Sequence, residues 1–307
     1  MTTPASPPDL AAVIADLNTA AERIWEASHA DVPGLSLEVA PHIGSTNTEL
    51  MARGRRGDTS PILLVAAAQT AGRGRQGRTW QAAPGDSLTF SLGLPLRLDE
   101  VPGGGSALSL AVGLAAAQCI DQGMRSLTAA AGRSHWPPVG LKWPNDLWLQ
   151  GRKLGGILIE ASPAPGLQAH ERWVVIGLGV NVREGAAPPG ATALATVAAL
   201  STTPQQAMLT PGLVWQWIAP TLLRAVMAFP HAGFAPLQPA YAERDVLAGQ
   251  QVGLWTSPET GPLSGAAPSE TGTAIGVDPS GALLVHTPGV GVQSWTSGEV
   301  SVRLSGT

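Results

Sequence analysis

The chain has 307 residues, of which 44% are hydrophobic and 13% are charged, and its formal net charge is −4. This balance is typical of a globular protein with more than one domain, and it excludes an intrinsically disordered chain. The negative charge argues against bulk attraction to nucleic acid or anionic membranes. The sequence contains no apolar run of about 18 residues, so it predicts no membrane-spanning helix.

Two residue types are used unevenly. Of the 18 basic residues only Lys142 and Lys153 are lysines, and the other sixteen are arginines. Lysine is a compact point charge and arginine a broad planar fork, so two neighbouring lysines mark a segment where arginine would not serve. The single cysteine, Cys119, lies in an apolar helical stretch and has no partner in the chain. This position and the lack of a second cysteine predict a buried thiol in a cytoplasmic protein.

The first elements follow from apolar spacing. Residues 9–30 repeat at the helical period of about 3.6, and residues 35–43 predict a strand. Gly44-Ser45-Thr46-Asn47 then supplies good capping residues for a second helix. The apolar run at 62–67 has the length of a buried strand.

Residues 72–78 read Gly-Arg-Gly-Arg-Gln-Gly-Arg and formally match the GxGxxG pattern of dinucleotide-binding proteins. The following residues, 79–85, do not begin a helix, so no helix N-terminus is present to hold a pyrophosphate. The glycines and arginines instead favour a loop that closes over a ligand and binds carboxylate or phosphate oxygens. A solvated surface loop or a Gly/Arg RNA-binding tract is the alternative.

The middle of the chain alternates strands with two long helices. We predict a strand at 88–94, a helix over 107–121 capped by Ser106, a small-residue loop at 126–138, and strands at 140–143, 147–150, 154–160 and 173–182. Residues 184–211 have little pattern, and 213–229 is helical although Pro220 is expected to kink it. From residue 247 onward short β-like runs surround a turn at 278–281, which predicts a small β-barrel. The domains are therefore expected at 1–34 (tail and helix), 35–245 and 246–307.

Both lysines fall in one short segment. Lys142-Trp143-Pro144-Asn145-Asp146 is followed, after the turn at Gly151-Arg152, by Lys153 and the glycine pair at 155–156. An ammonium beside two glycines can approach a phosphate or carboxylate, and Asn145 and Asp146 can bind a nucleotide or Mg²⁺ through oxygen. A plain β-hairpin with a polar turn is the alternative.

These segments together resemble the biotin–protein ligase family. The resemblance runs over six ordered motifs: Ser45-Thr46-Asn47, Gln69 and Ala71 with residues 72–80, then 142–147 (K-W-P-N-D-L), 152–160 (R-K-L-G-G-I-L-I-E), 174–182, and the tail 276–284 with Gly298-Glu299 and Arg303. The chain departs from the family pattern at Gly44, Ala67, Ala68 and Gln76. These departures affect fine contacts rather than the chemistry.

The resemblance implies an α+β protein. Its catalytic domain is expected to be a mixed β-sheet of the class II aminoacyl-tRNA-synthetase/biotin-ligase type with helices on one face, followed by a small SH3-like β-barrel. It implies an enzyme that activates biotin with ATP·Mg²⁺ to biotinyl-5′-AMP. Biotin is then transferred to a lysine of a biotin carboxyl carrier protein domain of a carboxylase.

The resemblance also implies roles for individual residues. Lys153, Arg75 and Asp146 are expected to be catalytic, with Asp146 also holding Mg²⁺. Biotin is expected to contact Ser45, Thr46, Asn47, Gln69, Gly72, Arg73, Gly74, Arg75, Lys153, Gly155 and Gly156. ATP or the adenylate is expected to contact Arg73, Arg75, Arg78, Trp80, Lys142, Asn145, Asp146, Lys153, Asn181, Glu299 and Arg303. A core tryptophan at position 80 and a barrel ion pair between Glu299 and Arg303 are the structural alternatives.

Three other functions compete with this prediction. A lipoate ligase would carry R-R-x-x-G-G-G in place of the Gly/Arg loop. A nicotinamide oxidoreductase needs an acidic residue about 20 residues past the glycines, whereas Asp99 and Glu100 lie beyond that range and after a strand. An RNA binder would explain the loop but not Lys153 or Asn181. We also expect no DNA operator binding and no membrane, and either a monomer or a homodimer. Residues 1–44 leave room for one helix and carry one basic side chain against six acidic ones.

Overall fold

The computed structural model describes residues 9–130, 132, 135–198, 209–255, 267–296 and 301–304. Its helices are α1 (Leu10–Ser28), α2 (Thr46–Arg55), α3 (Leu108–Ala130), α4 (Leu194–Val197), α5 (Pro211–Ala232) and α6 (Gln238–Ala242). Its strands are β1 (Ser36–Ala40), β2 (Ile62–Ala66), β3 (Ser87–Arg97), β4 (Gly140–Lys142), β5 (Asp146–Leu149), β6 (Arg152–Ser162), β7 (Glu171–Asn181), β8 (Gln251–Trp255), β9 (Glu270–Val277), β10 (Leu283–Thr287), β11 (Gly291–Trp295) and β12 (Ser301–Leu304).

The first seven strands form one sheet in the order β1-β2-β3-β7-β6-β5-β4. Strands β1 and β2 are parallel, and every other neighbouring pair is antiparallel. The predicted mixed sheet and α+β class are therefore confirmed.

Side chains alternate between the two faces of this sheet. On β2, Leu63 and Val65 belong to the large core under α1, α3 and α5, whereas Ile62 and Leu64 pack with Leu50 of α2 in a second cluster. The expectation that the helices share one face is therefore wrong for α2. The reason is that β2 is apolar at every position, so it buries both faces.

The N-terminal helix packs on the start of α5. Asp16 of α1 accepts hydrogen bonds from Thr210 Oγ1 and from the backbone N–H of Gly212, both at 2.8 Å. These contacts lie at the first turn of α5, where unpaired N–H groups and the helix dipole favour a carboxylate.

Helix α3 is longer than its sequence pattern predicted. It runs to Ala130, so the predicted loop at 126–138 begins too early. Leu127 and Thr128 are buried, and the Thr128 hydroxyl donates to the Met124 carbonyl, which satisfies the polar group inside the helix. Ser106 does not cap this helix, because it lies within a 3₁₀ turn at Gly105–Ala107. Cys119 is buried as predicted, and burial raises the pKa of its thiol.

Within the described ranges, α5 alone is long and apolar enough to cross a membrane by length and composition. Its buried residues, among them Trp215, Ile218 and Leu222, belong to the main core with α1 and α3. Core helices of globular proteins commonly have this composition. Pro220 lies inside the helix, as the sequence indicated.

The last five strands form a second, antiparallel sheet in the order β11-β10-β9-β8-β12. The predicted turn at 278–281 joins β9 to β10, and the N–H of Gly281 donates to the Asp278 carbonyl. This turn contacts the first domain, because Trp143 Nε1 donates to the Gly281 carbonyl at 3.0 Å. The C-terminal β-domain is thus anchored beside the segment that carries Asn145 and Asp146.

Candidate active site

A cavity of about 150 Å³ opens on the α2 face of the large sheet. It is bounded by the start of α2, by the loop at 72–80, and by the segment that joins β4 to β5. Its lining includes Ser45, Thr46, Asn47, Gln69, Arg73, Gly74, Arg75, Arg78, Trp80, Lys142, Asn145, Asp146, Lys153 and Gly156. Side chains from four separate motifs of the sequence therefore meet in one place.

The floor of the cavity is built from small residues in register across the sheet. Thr89, Gly179 and Gly156 pair side by side on β3, β7 and β6, and Asp146 pairs with Gly156 at the edge. A Cβ on Gly156 would lie 3.3 Å from Lys153 Nζ. The glycines therefore provide the room that the cavity occupies.

Ser45 and Thr46 form the polar end of the cavity, where α2 begins. The Ser45 side chain caps the helix by accepting from the N–H of Thr48. Gln69 Oε1 accepts from the N–H of Thr46 at 2.8 Å and lies 3.2 Å from its hydroxyl. None of these three side chains is charged, so this end suits a neutral, polar ligand group.

Asn47 completes this end from below. Its Nδ2 donates to the Leu158 carbonyl at 3.2 Å and to Glu160 Oε2 at 3.1 Å. A Cβ on Gly177 would stand 2.1 Å from Asn47 Oδ1, so only glycine leaves room for this side chain. The amide is therefore held in one orientation.

Lys153 and Asp146 form the opposite, charged end. Lys153 Nζ donates to Asp146 Oδ1 at 2.6 Å, and both side chains remain partly exposed. Lys142 is buried, with its ammonium 4.7 Å from the centre of the Trp148 ring. Both lysines of the chain therefore lie at this end of the cavity.

Arg75 reaches the same end from the loop. Its Nη1 donates to Asn145 Oδ1 at 3.3 Å. Burial lowers the pKa of the Arg75 guanidinium, while the Asp146 carboxylate raises it and Arg78 lowers it. A partly desolvated guanidinium of this kind binds phosphate or carboxylate oxygens more strongly than one in water.

The loop at 72–80 is a short hairpin. The N–H of Trp80 donates to the Gly72 carbonyl, and the N–H of Gly74 donates to the Arg78 carbonyl. Gln76, at its tip, has a φ of 55°, a left-handed conformation that costs energy for a residue with a side chain. No helix follows this loop before β3, as the sequence predicted, and this argues against a dinucleotide-binding fold.

The segment between β4 and β5 is fixed on several sides. Asn145 Nδ2 donates to the Ile157 carbonyl at 2.7 Å, and the Ser109 hydroxyl donates to the Pro144 carbonyl at 2.9 Å. The neighbouring Trp143 is held by the C-terminal β-domain, as described above. Asn145 and Asp146 are therefore placed by three separate elements of the fold.

Some expected site residues do not line the cavity. Gly72 and Gly155 support it through the backbone: a Cβ on Gly72 would meet the Trp80 carbonyl at 2.4 Å, and one on Gly155 the Gly179 carbonyl at 2.5 Å. Asn181 is buried, and its Nδ2 donates to the Thr192 carbonyl at 3.0 Å. Glu299 lies outside the described residues, and only the backbone of Arg303, in β12, is described.

Sequence reasoning missed three residues that shape the polar end: Ser91, Glu160 and Gly177. Ser91 is fully buried on β3 and lies 2.7 Å from both Thr46 Oγ1 and Asn47 Oδ1. One pattern could have revealed it, because Thr89 and Ser91 are the polar members of a strand whose other face is apolar. Glu160 and Gly177 lie within the motifs at 152–160 and 174–182, but their residue types alone assign them no role.

Two family models match the chain. The Biotin/lipoate A/B protein ligase family matches residues 39–181, and the Biotin protein ligase C terminal domain matches residues 263–303. The first match runs from the end of β1 through β7, and the second covers most of the C-terminal sheet.

Two curated relatives are similar over most of their length. The chain is 32% identical over 249 residues to the biotin--[acetyl-CoA-carboxylase] ligase of Paracoccus denitrificans, which covers 80% of this chain and 91% of that protein. It is 32% identical over 282 residues to the bifunctional ligase/repressor BirA of Escherichia coli K12, which covers 88% of this chain and 75% of that protein.

The fold matches a solved structure of the same kind. The biotin protein ligase from Aquifex aeolicus in complex with biotin and ATP aligns with a TM-score of 0.61 and 24% identity, covering 89% of this chain and 100% of that chain. At this level of identity the likeness establishes the fold.

Proposed function

The chain belongs to the biotin protein ligase family, and we propose that the cavity between α2 and the 72–80 loop is where biotin and ATP react. The protein is a ligase: it activates biotin with ATP and transfers the biotin to a biotin-dependent carboxylase. The observation that supports this site is that one cavity joins a neutral, hydrogen-bonding end to an end with Lys153 and Arg75. Biotin has a neutral ureido ring at one end and a carboxylate at the other.

The first step joins two anions. An oxygen of the biotin carboxylate attacks the α-phosphorus of ATP, the bond to the β-phosphate breaks, and pyrophosphate leaves. Lys153 is the group that neutralises the carboxylate and the α-phosphate as they meet, because its ammonium lies at the charged end beside Asp146. Asp146 orients the Lys153 ammonium.

The second step transfers the acyl group to an amine. The ε-amine of a lysine on a biotin carboxyl carrier protein domain attacks the acyl carbon, the amine loses its proton, and AMP leaves with the bonding electrons. Arg73, Arg75 and Arg78 hold the phosphate side of the intermediate, and Trp80 covers it. The hairpin at 72–80 thereby keeps water away from the mixed anhydride.

Biotin is bound at the polar end of the cavity. Ser45, Thr46, Asn47 and Gln69 read the ureido ring by hydrogen bonds, and the backbone at 72–74 encloses it. Gly155 and Gly156 leave space beside Lys153 for the valerate carboxylate. Lys142, Asn145 and Asp146 hold the nucleotide.

Mg²⁺ enters with ATP as part of that substrate. Within the described ranges no three His, Cys, Asp or Glu side chains cluster to hold an ion by themselves. Mg²⁺ commonly binds one or two carboxylates together with substrate phosphates. Asp146 fits this role, because Lys153 engages one of its two oxygens. The ion would supply positive charge on the phosphate groups.

Asn181, Glu299 and Arg303 remain proposed contacts of the nucleotide. Asn181 can also act on the site indirectly, by positioning Lys153, since its partner Thr192 donates a backbone hydrogen bond to the Lys153 carbonyl.

We divide the chain into domains at 1–34, 35–245 and 246–307. Residues 244–246 still pair with β4, and the chain joins the second sheet at Gln251, which supports a boundary in that region.

The carrier is the only macromolecular partner that we propose. The protein is expected to act in the cytoplasm as a monomer or homodimer, without DNA or membrane. Its net negative charge and its single, buried cysteine support this environment. Size-exclusion chromatography with light scattering would separate the two oligomeric states.

The direct test is native mass spectrometry of the full chain with ATP, Mg²⁺ and either biotin or lipoate. We expect a complex with biotinyl-5′-AMP, and amide-linked biotin on an added carrier domain. An adenylate that forms with lipoate but not with biotin would overturn the proposal and favour a lipoate ligase.

A further inference from the structure

Ser91 contacts Thr46 and Asn47, two of the four residues that we expect to read the ureido ring. It is fully buried on β3 and does not line the cavity. Its hydroxyl oxygen is 2.7 Å from Thr46 Oγ1 and 2.7 Å from Asn47 Oδ1. Ser91 has one hydrogen to donate, so the two contacts must have opposite directions.

The direction of the Asn47 contact follows from its amide. Nδ2 donates to the Leu158 carbonyl and to the Glu160 carboxylate, neither of which can donate in return. The other amide atom, Oδ1, can only accept. The hydrogen of Ser91 therefore points to Asn47.

The direction of the Thr46 contact follows in turn. Two oxygens 2.7 Å apart need a hydrogen between them, and Ser91 has already given its own to Asn47. The hydroxyl hydrogen of Thr46 must therefore point to Ser91. Thr46 Oγ1 therefore presents a lone pair to the cavity. Gln69 Oε1, a second acceptor, lies 3.2 Å from it.

We propose that Ser91 is a positioning residue that makes Thr46 a hydrogen-bond acceptor and thereby selects a substrate ring that carries N–H groups. This inference rests on the proposed function of the cavity. The ureido ring of biotin carries two N–H donors. The dithiolane ring of lipoate has none, so it would leave the lone pair of the buried Thr46 hydroxyl without a donor, which is costly.

The experiment compares the full chain with the variant Ser91→Ala in steady-state pyrophosphate release. Loss of one directed hydrogen bond predicts a KM for biotin about tenfold higher. The KM for ATP and kcat should change by less than about twofold, because Ser91 is remote from the charged end. Ser87→Ala is the matched control: Ser87 is a buried serine on the same strand whose hydroxyl accepts from the N–H of Ala83. It should leave the KM for biotin unchanged.

A chemical probe isolates the N–H contact. In each of the two cyclic carbamate analogues of biotin, one ureido N–H is replaced by oxygen. The wild-type chain should use one of them at least about tenfold less well than biotin, and Ser91→Ala should narrow that difference to about twofold.

Two results would overturn the inference. One is an equal rise of the KM values for biotin and ATP in Ser91→Ala, which indicates a general structural role. The other is a preference of Ser91→Ala for biotin over both carbamates that is as large as that of the wild-type chain. Failure of the proposed function would look different, because the wild-type chain itself would then release no pyrophosphate with biotin.

Discussion

The indole of Trp80 occupies the space that a side chain at position 179 would need. A Cβ on Gly179 would stand 2.4 Å from Trp80 Cε2. Trp80 is also the last residue of the hairpin, paired to Gly72. The bare backbone of β7 therefore sets how deeply the loop can close over the cavity.

Gly179→Ala should lift Trp80 and hold the hairpin open. Overpacking of this size costs about 1–3 kcal/mol, so kcat/KM for adenylate formation should fall about ten- to hundredfold. Circular dichroism should show the fold unchanged. The double variant Gly179→Ala/Trp80→Ala should be no worse than Trp80→Ala alone, and additive losses would contradict this mechanism.

Lys153→Ala should abolish adenylate formation and leave the fold intact. Its ammonium acts on charge that develops as two anions join, so kcat for pyrophosphate release should fall about 10²–10³-fold. Lys153→Arg should also be poor, because the broad guanidinium cannot occupy the place beside Asp146. Arg152→Ala, at an exposed neighbour on the same strand, is the control. Normal turnover by Lys153→Arg would count against the role.

Arg75→Gly should loosen the hold on biotinyl-5′-AMP more than it weakens ATP binding. The released anhydride acylates exposed amines, so labelling of a bystander protein such as albumin should rise about tenfold or more. Arg97→Gly, at an exposed arginine paired with Glu100, controls for loss of an arginine elsewhere. A quantitative blot with unchanged bystander labelling would mean that Arg75 does not retain the intermediate.

Asp245→Asn should stabilise the protein at neutral pH and not at acidic pH. Burial raises the pKa of the Asp245 carboxyl above its ordinary value of 3.8, although backbone hydrogen bonds from Leu247 and Ala248 oppose the shift. A carboxyl whose pKa rises on folding costs stability as pH increases through that range, and the cost is absent below it. Asparagine removes the charge and keeps an acceptor for the N–H of Leu247.

Urea unfolding is the measurement for this variant. The gain should be about 1 kcal/mol at pH 7 and should vanish below about pH 4. Glu243→Gln, at an exposed neighbour, should show no such dependence. A gain that is the same at both pH values would exclude the titration of Asp245 as its cause.

The N-terminal segment that holds α1 should not bind an operator. A helix-turn-helix module needs about three helices and a basic face, whereas residues 1–44 carry one basic side chain and the helix α1 packs on α5. An electrophoretic mobility shift at low salt, with biotin and ATP present, should give no complex with DNA from upstream of biotin genes. A specific, salt-sensitive shift at sub-micromolar protein would contradict this prediction.

Much of the fold followed from local pattern. The alternation of Leu88 and Phe90 with smaller residues gave β3, and the motif around Lys153 placed the charged end on a strand. What local pattern could not supply was the neighbour of each strand. Ser91 matters because α2 packs over β3, and Gly177 matters because α2 packs over β7. Both facts depend on contacts between residues far apart in the chain.

In the C-terminal domain, one feature could be predicted from the sequence and another could not, for a similar reason. The turn at 278–281 follows from its residue types, since Asp, Pro, Ser and Gly each favour turns. Its contact with Trp143 depends on how two domains dock, which no periodicity records. The end of α3 was misplaced because small residues after Met124 resemble a loop, while burial against the core keeps them helical.

The scarcity of lysine has a consequence for the protein itself. Any accessible amine can attack an acyl phosphate, yet this chain has only two lysine side chains, and both line the candidate cavity. Lys142 is 5% exposed, and the amine of Lys153 donates to Asp146. The arginines that cover the remaining surface are poor nucleophiles because they stay protonated. We therefore expect the chain to be a poor target for acylation by its own intermediate.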